Sequence, residues 1–331
     1  MACVPDRSLH PLPMLLSTAA ALLVPMPAPA QGGYPSRPVH LVVSSSPGGG
    51  TDATARIVGA RLGEFLGQPI VIENRPGASS QIGGAHVARS APDGQTILMT
   101  ASSLVVVQST YRKPHLDPQR DLAPITLVAV VPQMLAAHAS LPARNLKELI
   151  AMLHASPGRI DYSAGNYGGA PHVTMALFMT MAKIEGTFIP YRSGNAGMAD
   201  ALAGHVPLML GNVLATLPHV RAGRLRAYGV TSAKRAISAP DIPTVAEAGV
   251  PGYSAEQWFG VLAPAKTPAE IVVRLHRELV RVLREDDTQK RFLLDGGEAA
   301  WSESPAAFGA FIQAEHDKWA RVVRDAGIKP Q

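Results

Sequence analysis

Residues 39–52 have the sequence VHLVVSSSPGGGTD, and this stretch decides the fold. Val39, Leu41, Val42 and Val43 predict a buried strand. Three serines, a proline and three glycines follow, and then Thr51 or Asp52 is the predicted N-cap of a helix. Beyond the cap, apolar residues recur at helical spacing, namely Ala53, Ile57, Val58, Leu62, Phe65 and Leu66. The stretch therefore predicts a strand, a glycine-rich turn and a helix in succession.

A turn of this kind is suited to binding an anion. Glycine lets the backbone approach a ligand closely, and the free N–H groups and positive dipole end of the helix favour negative charge there. An ordinary glycine-rich turn that binds nothing has the same sequence signature. Both interpretations stay open on this stretch alone.

The N-terminus has the order of a secretory signal peptide. Arg7 and His10 precede an apolar run over residues 14–24, and an Ala-Pro-Ala site ends at Ala30. The run is too short to span a bilayer, although an N-terminal membrane anchor is the alternative. We expect cleavage after Ala30, a mature chain that begins at Gln31, and export to the periplasm. The one cysteine, Cys3, lies before the cleavage site, so the mature chain is expected to hold no disulfide and no cysteine metal site.

Composition indicates a globular protein of two lobes. Of the 331 residues, 47% are hydrophobic and 17% are charged. The mature chain of roughly 300 residues is long for a single core. The formal net charge of +5 comes from scattered residues that do not accompany aromatic platforms, so no nucleic-acid partner is expected. A mild positive charge is compatible with attracting small anions.

Strand and helix patterns alternate along much of the chain, which predicts parallel sheets with helices on their faces. A second glycine-rich loop, GNYGG at residues 165–169, follows a predicted strand at 160–163 and precedes a predicted helix at 171–182. Apolar strands at 125–131 and 258–263 flank the α/β segment that contains this loop. We therefore expect one lobe of residues 34–128 and 258–331, a second lobe of residues 129–257, and a cleft between them.

Motifs along the mature chain carry a resemblance to a known family. In order they are YPSRP at 34–38, PGGGTD at 47–52, GQP at 67–69, ENRPGA at 73–78, APDG at 91–94, PYR at 190–192, LPH at 217–219, TSAKR at 231–235, PTVAEAG at 243–249, WFG at 258–260 and AGIK at 326–329. Each motif is weak alone, but their order and spacing together are specific. The chain resembles the Bug-type periplasmic solute receptors of tripartite tricarboxylate transporters.

The resemblance implies a two-lobed α/β periplasmic-binding-protein fold, similar to type II, that closes on a small carboxylate. It implies a dicarboxylate, tricarboxylate or aromatic acid as ligand, and delivery to membrane subunits of a tripartite transporter or to a sensor. It implies neither catalysis nor a cofactor, and we expect a monomer. In this family one ligand carboxylate typically sits between the two glycine-rich loops.

The sequence departs from the family pattern in and near both loops. Ser44-Ser45-Ser46 stands where the family usually has Pro-Phe followed by Pro, Ala or Ser, and the loss of an aromatic residue at Ser45 opens or polarises one wall. The second loop has Asn166 and Tyr167 within it, which could donate to a ligand and stack on it. Gly211 stands where the family often has an aspartate that would pair with a ligand amine. We therefore favour purely anionic or aromatic acids over amino acids.

The candidate ligand-binding residues lie in the two loops, at strand ends and in the helices that follow: Ser45, Ser46, Gly49, Gly50, Thr51, Asp52, Ala101, Ser102, Ser163, Asn166, Tyr167, Gly168, His172, Tyr191, Asn195 and Asn212. Asp52 suits a cap or a supporting acceptor better than direct contact, because its carboxylate would repel a bound carboxylate. His172 could contact the ligand or serve as a structural histidine. Tyr191 could reach the cleft through its hydroxyl. No histidine spacing suggests a metal site.

An enzyme is the competing prediction. Gly48-x-Gly50-x-x-Ala53 after a strand satisfies a relaxed dinucleotide-binding pattern, and Glu73 lies near the position of the expected acid. Export argues against a nicotinamide cofactor. A hydrolase is disfavoured because no G-x-S-x-G elbow is present, although a serine esterase with distant partners stays open.

Overall fold

A computed structural model describes residues 1–2, 33–165, 167–191, 194–295 and 297–330 of this chain. The predicted signal peptide and its cleavage site lie almost entirely outside these residues. Within the described ranges, no helix has the length and apolarity needed to cross a bilayer.

Strands and helices alternate from Val39 onward. The strands are β1 Val39–Val43, β2 Ile70–Asn74, β3 Thr96–Ala101, β4 Leu122–Val131, β5 Gln133–His138, β6 Asp161–Ser163, β7 Thr187–Ile189, β8 Leu208–Asn212, β9 Leu225–Val230, β10 Gln257–Pro264 and β11 Glu298–Ala299. The helices are α1 Gly50–Leu66, α2 Gln81–Ala88, α3 Ser103–Thr110, α4 Pro118–Asp121, α5 Leu146–Ala155, α6 Ala170–Ala182, α7 Gly194–Ala203, α8 Val213–Arg221, α9 Val245–Ala248, α10 Ala269–Leu283, α11 Asp286–Asp295 and α12 Pro305–Asp325.

The strands form two separate sheets. The first has the order β11-β4-β10-β3-β1-β2, and the second has the order β7-β6-β8-β5-β9. Strands β1, β2 and β3 are parallel, and so are β6, β7 and β8, so that each sheet gathers the carboxyl ends of three strands at one edge. Such edges are where open α/β sheets bind ligands.

Both sheets are mixed, whereas the sequence predicts parallel sheets. Strand β10 is antiparallel to both of its neighbours, β3 and β4, and β5 is antiparallel to β8 and β9. The reason is the connection between the sheets. Strand β4 ends at Val131, and β5 begins at Gln133 in the other sheet, so only Pro132 separates them. The chain returns to the first sheet between β9 and β10. That return passes through the short helix α9.

Helix α12 packs against both cores. Phe308 and Ile312 belong to an apolar cluster with Trp258 of β10, while Trp319, Val322 and Val323 belong to the core around the second sheet. The stripe of apolar residues along α12, spaced by three or four positions, therefore spans both halves of the protein. The carboxylate of Glu315, midway along the helix, accepts hydrogen bonds from the indole nitrogens of Trp258 (3.2 Å) and Trp319 (2.8 Å).

Several predicted elements shift at their ends. The sequence after Pro76-Gly77 predicts a helix over residues 79–90, whereas α2 begins at Gln81 because Ala78, Ser79 and Ser80 are in the left-handed region. The sequence reading omits β5, α3 and α8. Their apolar residues are short runs without a clear period, and burial among distant residues decides their structure.

Candidate functional site

The first glycine-rich loop ends in a glycine-capped helix. Gly48 is left-handed (φ 78°), Gly49 is the N-cap (φ −77°, ψ 162°), and α1 begins at Gly50. The prediction that Thr51 or Asp52 caps the helix is therefore wrong. Asp52 is the third helical residue, and its Oδ2 accepts a hydrogen bond from the Gly48 N–H at 2.9 Å. A β-carbon on Gly49 would lie 3.2 Å from the Ser46 carbonyl oxygen, so the loop closes tightly on itself.

Asp52 organises this loop. Its carboxylate is buried and also accepts hydrogen bonds from Arg56 Nε (3.0 Å) and Nη2 (3.1 Å) and from Asn74 Nδ2 (2.9 Å). Burial raises the pKa of Asp52, but the hydrogen bonds from Arg56, Gly48 and Asn74 outweigh it and hold the pKa below its ordinary value. The charge is thus fully engaged within the protein. Asn74 Nδ2 also donates to the Ser45 carbonyl oxygen at 3.0 Å, which ties the loop to the end of β2.

The second glycine-rich loop repeats this geometry. Gly168 is left-handed (φ 70°), Gly169 is the N-cap (φ −77°, ψ 165°), and α6 begins at Ala170. His172 is the third helical residue, and its Nδ1 accepts a hydrogen bond from the Gly168 N–H at 3.1 Å. Each loop is therefore tied by a side chain at the same helical position to the N–H of the same left-handed glycine. The acceptor is a charged carboxylate in one loop and an imidazole in the other.

His172 is neutral in this arrangement. It is buried, and its ring stacks on Phe188 at 4.0 Å and lies 5.0 Å from the ring of Tyr167. Burial lowers the pKa of His172 to about 4. Because Nδ1 accepts a hydrogen bond, the ring proton of the neutral form resides on Nε2. The histidine supports the loop without adding charge.

The two helix N-termini differ in what they offer to an anion. The N–H groups of Gly50, Thr51 and Asp52 precede the first intrahelical bond of α1, which runs from the Ala53 N–H to the Gly49 carbonyl oxygen at 2.9 Å. Pro171 lies in the first turn of α6 and has no N–H. The first intrahelical bond of α6 runs from the Val173 N–H to the Gly169 carbonyl oxygen at 3.1 Å, so Ala170 and His172 supply the free N–H groups of that helix. Helix α1 therefore presents a fuller set of donors.

Helix α3 connects the first sheet to the second loop. It follows β3, and Thr110 at its end donates from Oγ1 to the Gly168 carbonyl oxygen at 3.1 Å. A β-carbon on Gly168 would lie only 3.1 Å from Thr110 Cβ. The sequence analysis missed Thr110, since no local pattern relates it to a residue 58 positions away.

The carboxyl end of β3 adds a buried hydroxyl and an aromatic wall. Ser102 is 1% exposed, and its Oγ has no hydrogen-bond partner in the part of the chain that the structure describes. Ala101, partly buried, pairs across the sheet with Phe259. The Phe259 ring lies against the start of α1, since a β-carbon on Gly50 would be 3.2 Å from its Cζ. Phe259 belongs to the WFG motif, but the sequence analysis did not place it at the site.

The turn after β2 is strained. Ala78, Ser79 and Ser80 all have positive φ (45°, 51° and 76°), a conformation that costs about 1–2 kcal/mol for each residue with a side chain. Ser80 Oγ lies 2.8 Å from Ser103 Oγ at the start of α3. Gly83 in the following helix packs against Ser44, with a β-carbon expected 3.2 Å from Ser44 Cα. Strained backbone of this kind clusters at binding sites.

Other candidates on the second sheet have structural partners. Ser163 is buried beside Gly197 and Tyr191. Tyr191 does not offer its hydroxyl freely, because that hydroxyl donates to Asp200 Oδ2 at 2.6 Å; burial and this bond raise the Tyr191 pKa to about 12. Asn212 caps α8 by accepting from the Leu214 N–H. Asn195 is exposed in the first turn of α7.

The remaining candidate residues of the two loops differ in their exposure to solvent and in their contacts. Tyr167 is partly buried, and its hydroxyl donates to the Lys329 carbonyl oxygen at 3.4 Å, so the C-terminal segment lies beside the second loop. Ser46 and Gly50 are exposed, whereas Thr51 is buried. Asn166 lies outside the described residues.

The chain matches a known receptor family over most of its length. The family model described as "Tripartite tricarboxylate transporter family receptor" matches residues 54–328. Protein BugT of Bordetella pertussis is 35% identical over 298 residues, which cover 89% of this chain and 91% of BugT.

Two solved structures are also similar to this chain over most of its length. Rpa4515 of Rhodopseudomonas palustris, solved with adipate, is 36% identical with a TM-score of 0.79, and the match covers 90% of this chain and 100% of that chain. MatC of the same organism, with bound malate, is 28% identical with a TM-score of 0.74, and the match covers 88% of this chain and 100% of that chain. The predicted two-lobed α/β periplasmic-binding-protein fold is thereby confirmed. The chain belongs to the receptor family of the tripartite tricarboxylate transporters and is a solute-binding receptor of that family.

Proposed function

We propose that this receptor captures a small dicarboxylate, with one carboxylate held between residues 46–52 and 163–169. The single observation that supports the proposal best is the matched pair of glycine-capped helices, α1 and α6, each with its loop tied back by the third helical residue. The solved relatives were determined with adipate and with malate, which are both linear dicarboxylates. Tricarboxylates and aromatic acids are the alternatives within the same class.

The electrostatics of the two loops suit an anion. Asp52 lies in the first turn of α1 beside the first loop's donors, and its charge is balanced by Arg56. His172 is neutral in the second loop. A ligand carboxylate therefore meets free N–H groups without an unbalanced negative charge beside them. Each charge-assisted hydrogen bond contributes about 1.5–3 kcal/mol, so a few of them are enough for micromolar affinity.

The side walls are assigned as follows. Hydroxyl groups for the ligand come from Ser45, Ser46, Thr51, Ser102 and Ser163. The backbone can approach the ligand closely at Gly49, Gly50 and Gly168. Ala101 and Phe259 form an apolar wall for the ligand's carbon chain. Four further candidates support the loops and helices around the ligand and do not contact it directly, because their polar atoms already have protein partners. They are Asp52, His172, Tyr191 and Asn212.

The lobes are proposed to consist of residues 34–128 with 258–331, and of residues 129–257. Ligand capture would close the cleft by bending at the two crossings, after Val131 and before β10. Helix α12 limits the motion, since it packs on both cores.

The receptor is proposed to act in the periplasm as a monomer, after cleavage behind Ala30. It would deliver its ligand to the membrane subunits of a tripartite transporter, or present it to a sensor, without catalysing a reaction. The basic and apolar order of residues 7–24 and the Ala-Pro-Ala site support export.

A thermal-shift screen followed by titration calorimetry tests the ligand class. We expect adipate, malate and related dicarboxylates to raise the melting temperature, because a ligand at 100 times its dissociation constant stabilises the bound form by about 2.7 kcal/mol. Nicotinamide dinucleotides serve as the control for the enzyme alternative. Stabilisation by a dinucleotide, with no response to any carboxylate, would contradict the proposal.

Thr51→Ala tests the site itself. The loss of one hydroxyl donor should weaken dicarboxylate binding severalfold, whereas Thr288→Ala, at an equally buried threonine in the first turn of α11, should leave it unchanged. Equal affinity of both variants would place the ligand elsewhere.

A further inference from the structure

A row of arginines lies along the outer face of α10 and its C-cap, away from the two glycine-rich loops. Arg277, Arg281 and Arg284 are spaced by four and three residues, so they share one face of the helix. The side chains of Arg277 and Arg281 are 68% and 63% exposed. With Val280 and Trp301 they line a groove of about 590 Å³. None of these residues belongs to the proposed ligand site.

Aromatic rings hold two of the guanidinium groups. The Arg281 guanidinium lies 3.8 Å from the centre of the Phe65 ring, and the Arg284 guanidinium lies 5.4 Å from the Trp301 ring. A guanidinium stacked on a ring keeps its N–H edges free for an acceptor, and it loses less freedom when it binds one. The groove is therefore pre-organised for carboxylates.

The local charges leave the groove positive. Arg277 pairs with the buried Glu278 at 2.7 Å, and Arg281 lies 3.9 Å from the same residue. Glu303 is the carboxylate that lines the groove. Glu285 also acts electrostatically on Arg281, but its carboxylate is paired with Arg61. In the part of the chain that the structure describes, Arg284 has no carboxylate within ion-pair distance. Within the lining of the groove, three arginines thus stand against one carboxylate, while Glu278 is buried and Glu285 is paired with Arg61.

The far wall of the groove is rigid. The Ser302 N–H donates to Thr126 Oγ1 at 3.1 Å, and the Ser302 carbonyl oxygen lies 2.9 Å from His276 Nε2. Strand β11, which leads into this wall, pairs with Ala129 and Val130 of β4. Trp301 is thereby fastened to the strand that crosses to the second sheet, yet its side chain stays 36% exposed.

We propose that this groove docks an acidic, partly apolar segment of a partner protein. Exposed tryptophan and arginine are the residues that most often supply the binding energy of protein interfaces. The arginine forks would receive carboxylates in bidentate pairs. Val280, Trp301 and the 56% exposed Val273, one helical turn before Arg277, would receive apolar side chains. The excess positive charge selects an acidic partner over a basic one.

The test uses the full mature chain and a fluorescein-labelled helical peptide with glutamates and leucines on one face. Its control is the same peptide with glutamine in place of glutamate. Fluorescence anisotropy at low salt should show binding of the glutamate peptide alone. In the triple variant R277A/R281A/R284A the binding should weaken about tenfold or more.

A matched triple variant removes equal charge elsewhere. Arg144, Arg159 and Arg221 are all exposed, and R144A/R159A/R221A should bind the glutamate peptide as the wild type does. Equal weakening in both triple variants, or equal binding of the glutamine peptide, would overturn the proposal, because attraction would then be non-specific.

Further variants and measurements test whether the loss of binding reflects misfolding, and whether the groove instead binds lipid or a second copy of the chain. R277K/R281K/R284K keeps the charge and should still weaken binding severalfold, since lysine lacks the stacked fork. Trp301→Ala should weaken binding without changing charge. If the glutamate peptide fails to bind while phosphatidylglycerol vesicles bind and lose binding in the alanine triple variant, the groove contacts lipid and the proposal fails. It also fails if ultracentrifugation shows self-association that Trp301→Ala abolishes.

Discussion

Acidification should destabilise this protein through His172. Burial lowers the pKa of His172 to about 4, whereas a histidine in an unfolded chain titrates near 6.5. As the pH falls below about 6.5, the unfolded chain takes up the proton first, so the free energy of unfolding decreases until the pH reaches about 4. Relative to neutral pH, these two values correspond to a loss of about 2 kcal/mol at pH 5.

His172→Asn isolates this effect. Asparagine keeps a side-chain acceptor for the Gly168 N–H but does not titrate. Between pH 7 and 5, urea unfolding of the wild type should lose about 2 kcal/mol more than that of the variant. His154→Asn, at an exposed histidine of α5, is the control and should lose as much as the wild type. If His172→Asn and the wild type lose the same free energy, His172 is not the buried neutral acceptor described above.

Three further variants test other parts of the structure. Ser102→Ala should leave the free energy of unfolding unchanged or raise it, because the buried hydroxyl has no protein partner, yet weaken adipate binding about tenfold in calorimetry; unchanged affinity would remove Ser102 from the site. Gly168→Ala and Gly158→Ala both place alanine at φ 70°, but only the former meets Thr110, so it should cost about 1–3 kcal/mol more in urea unfolding; equal costs would contradict the contact. Glu315→Leu should cost about 2–5 kcal/mol because two indole N–H groups lose their acceptor, and a near-zero cost would refute that role.

The local parts of the site are predictable from sequence. Val39–Val43 forms the buried strand that its apolar run indicates, and the glycines after it lead directly into a helix. The second glycine loop is likewise found between the predicted strand and helix. In both places the sequence signal lies within about ten residues. Over that range the alternation of a strand, the conformational freedom of glycine and the periodicity of a helix all indicate the same structure.

The residue that caps the N-terminus of α1 is not predictable in the same way. Asp52 has the residue type of an N-cap, but Arg56 and Asn74 hold its carboxylate where it accepts from Gly48, and Gly49 becomes the cap. Asn74 lies in another strand, so the choice depends on how β2 pairs with β1. Asn74 ends its apolar run and precedes Arg75-Pro76, which is a usable sequence signal for a residue at the sheet edge.

The sequence by itself determined the family, the strand–loop–helix units and the residue types that face an anion, because those follow from short-range periodicity and from the order of motifs. Tertiary structure alone decided that Thr110 holds Gly168, that Phe259 lies against Gly50, that Tyr191 donates to Asp200, and that α12 packs on both cores. Most of these contacts join residues that are far apart in the chain. Their partners are selected by burial and by hydrogen-bond satisfaction once the two sheets have formed, and no local pattern in the sequence encodes them.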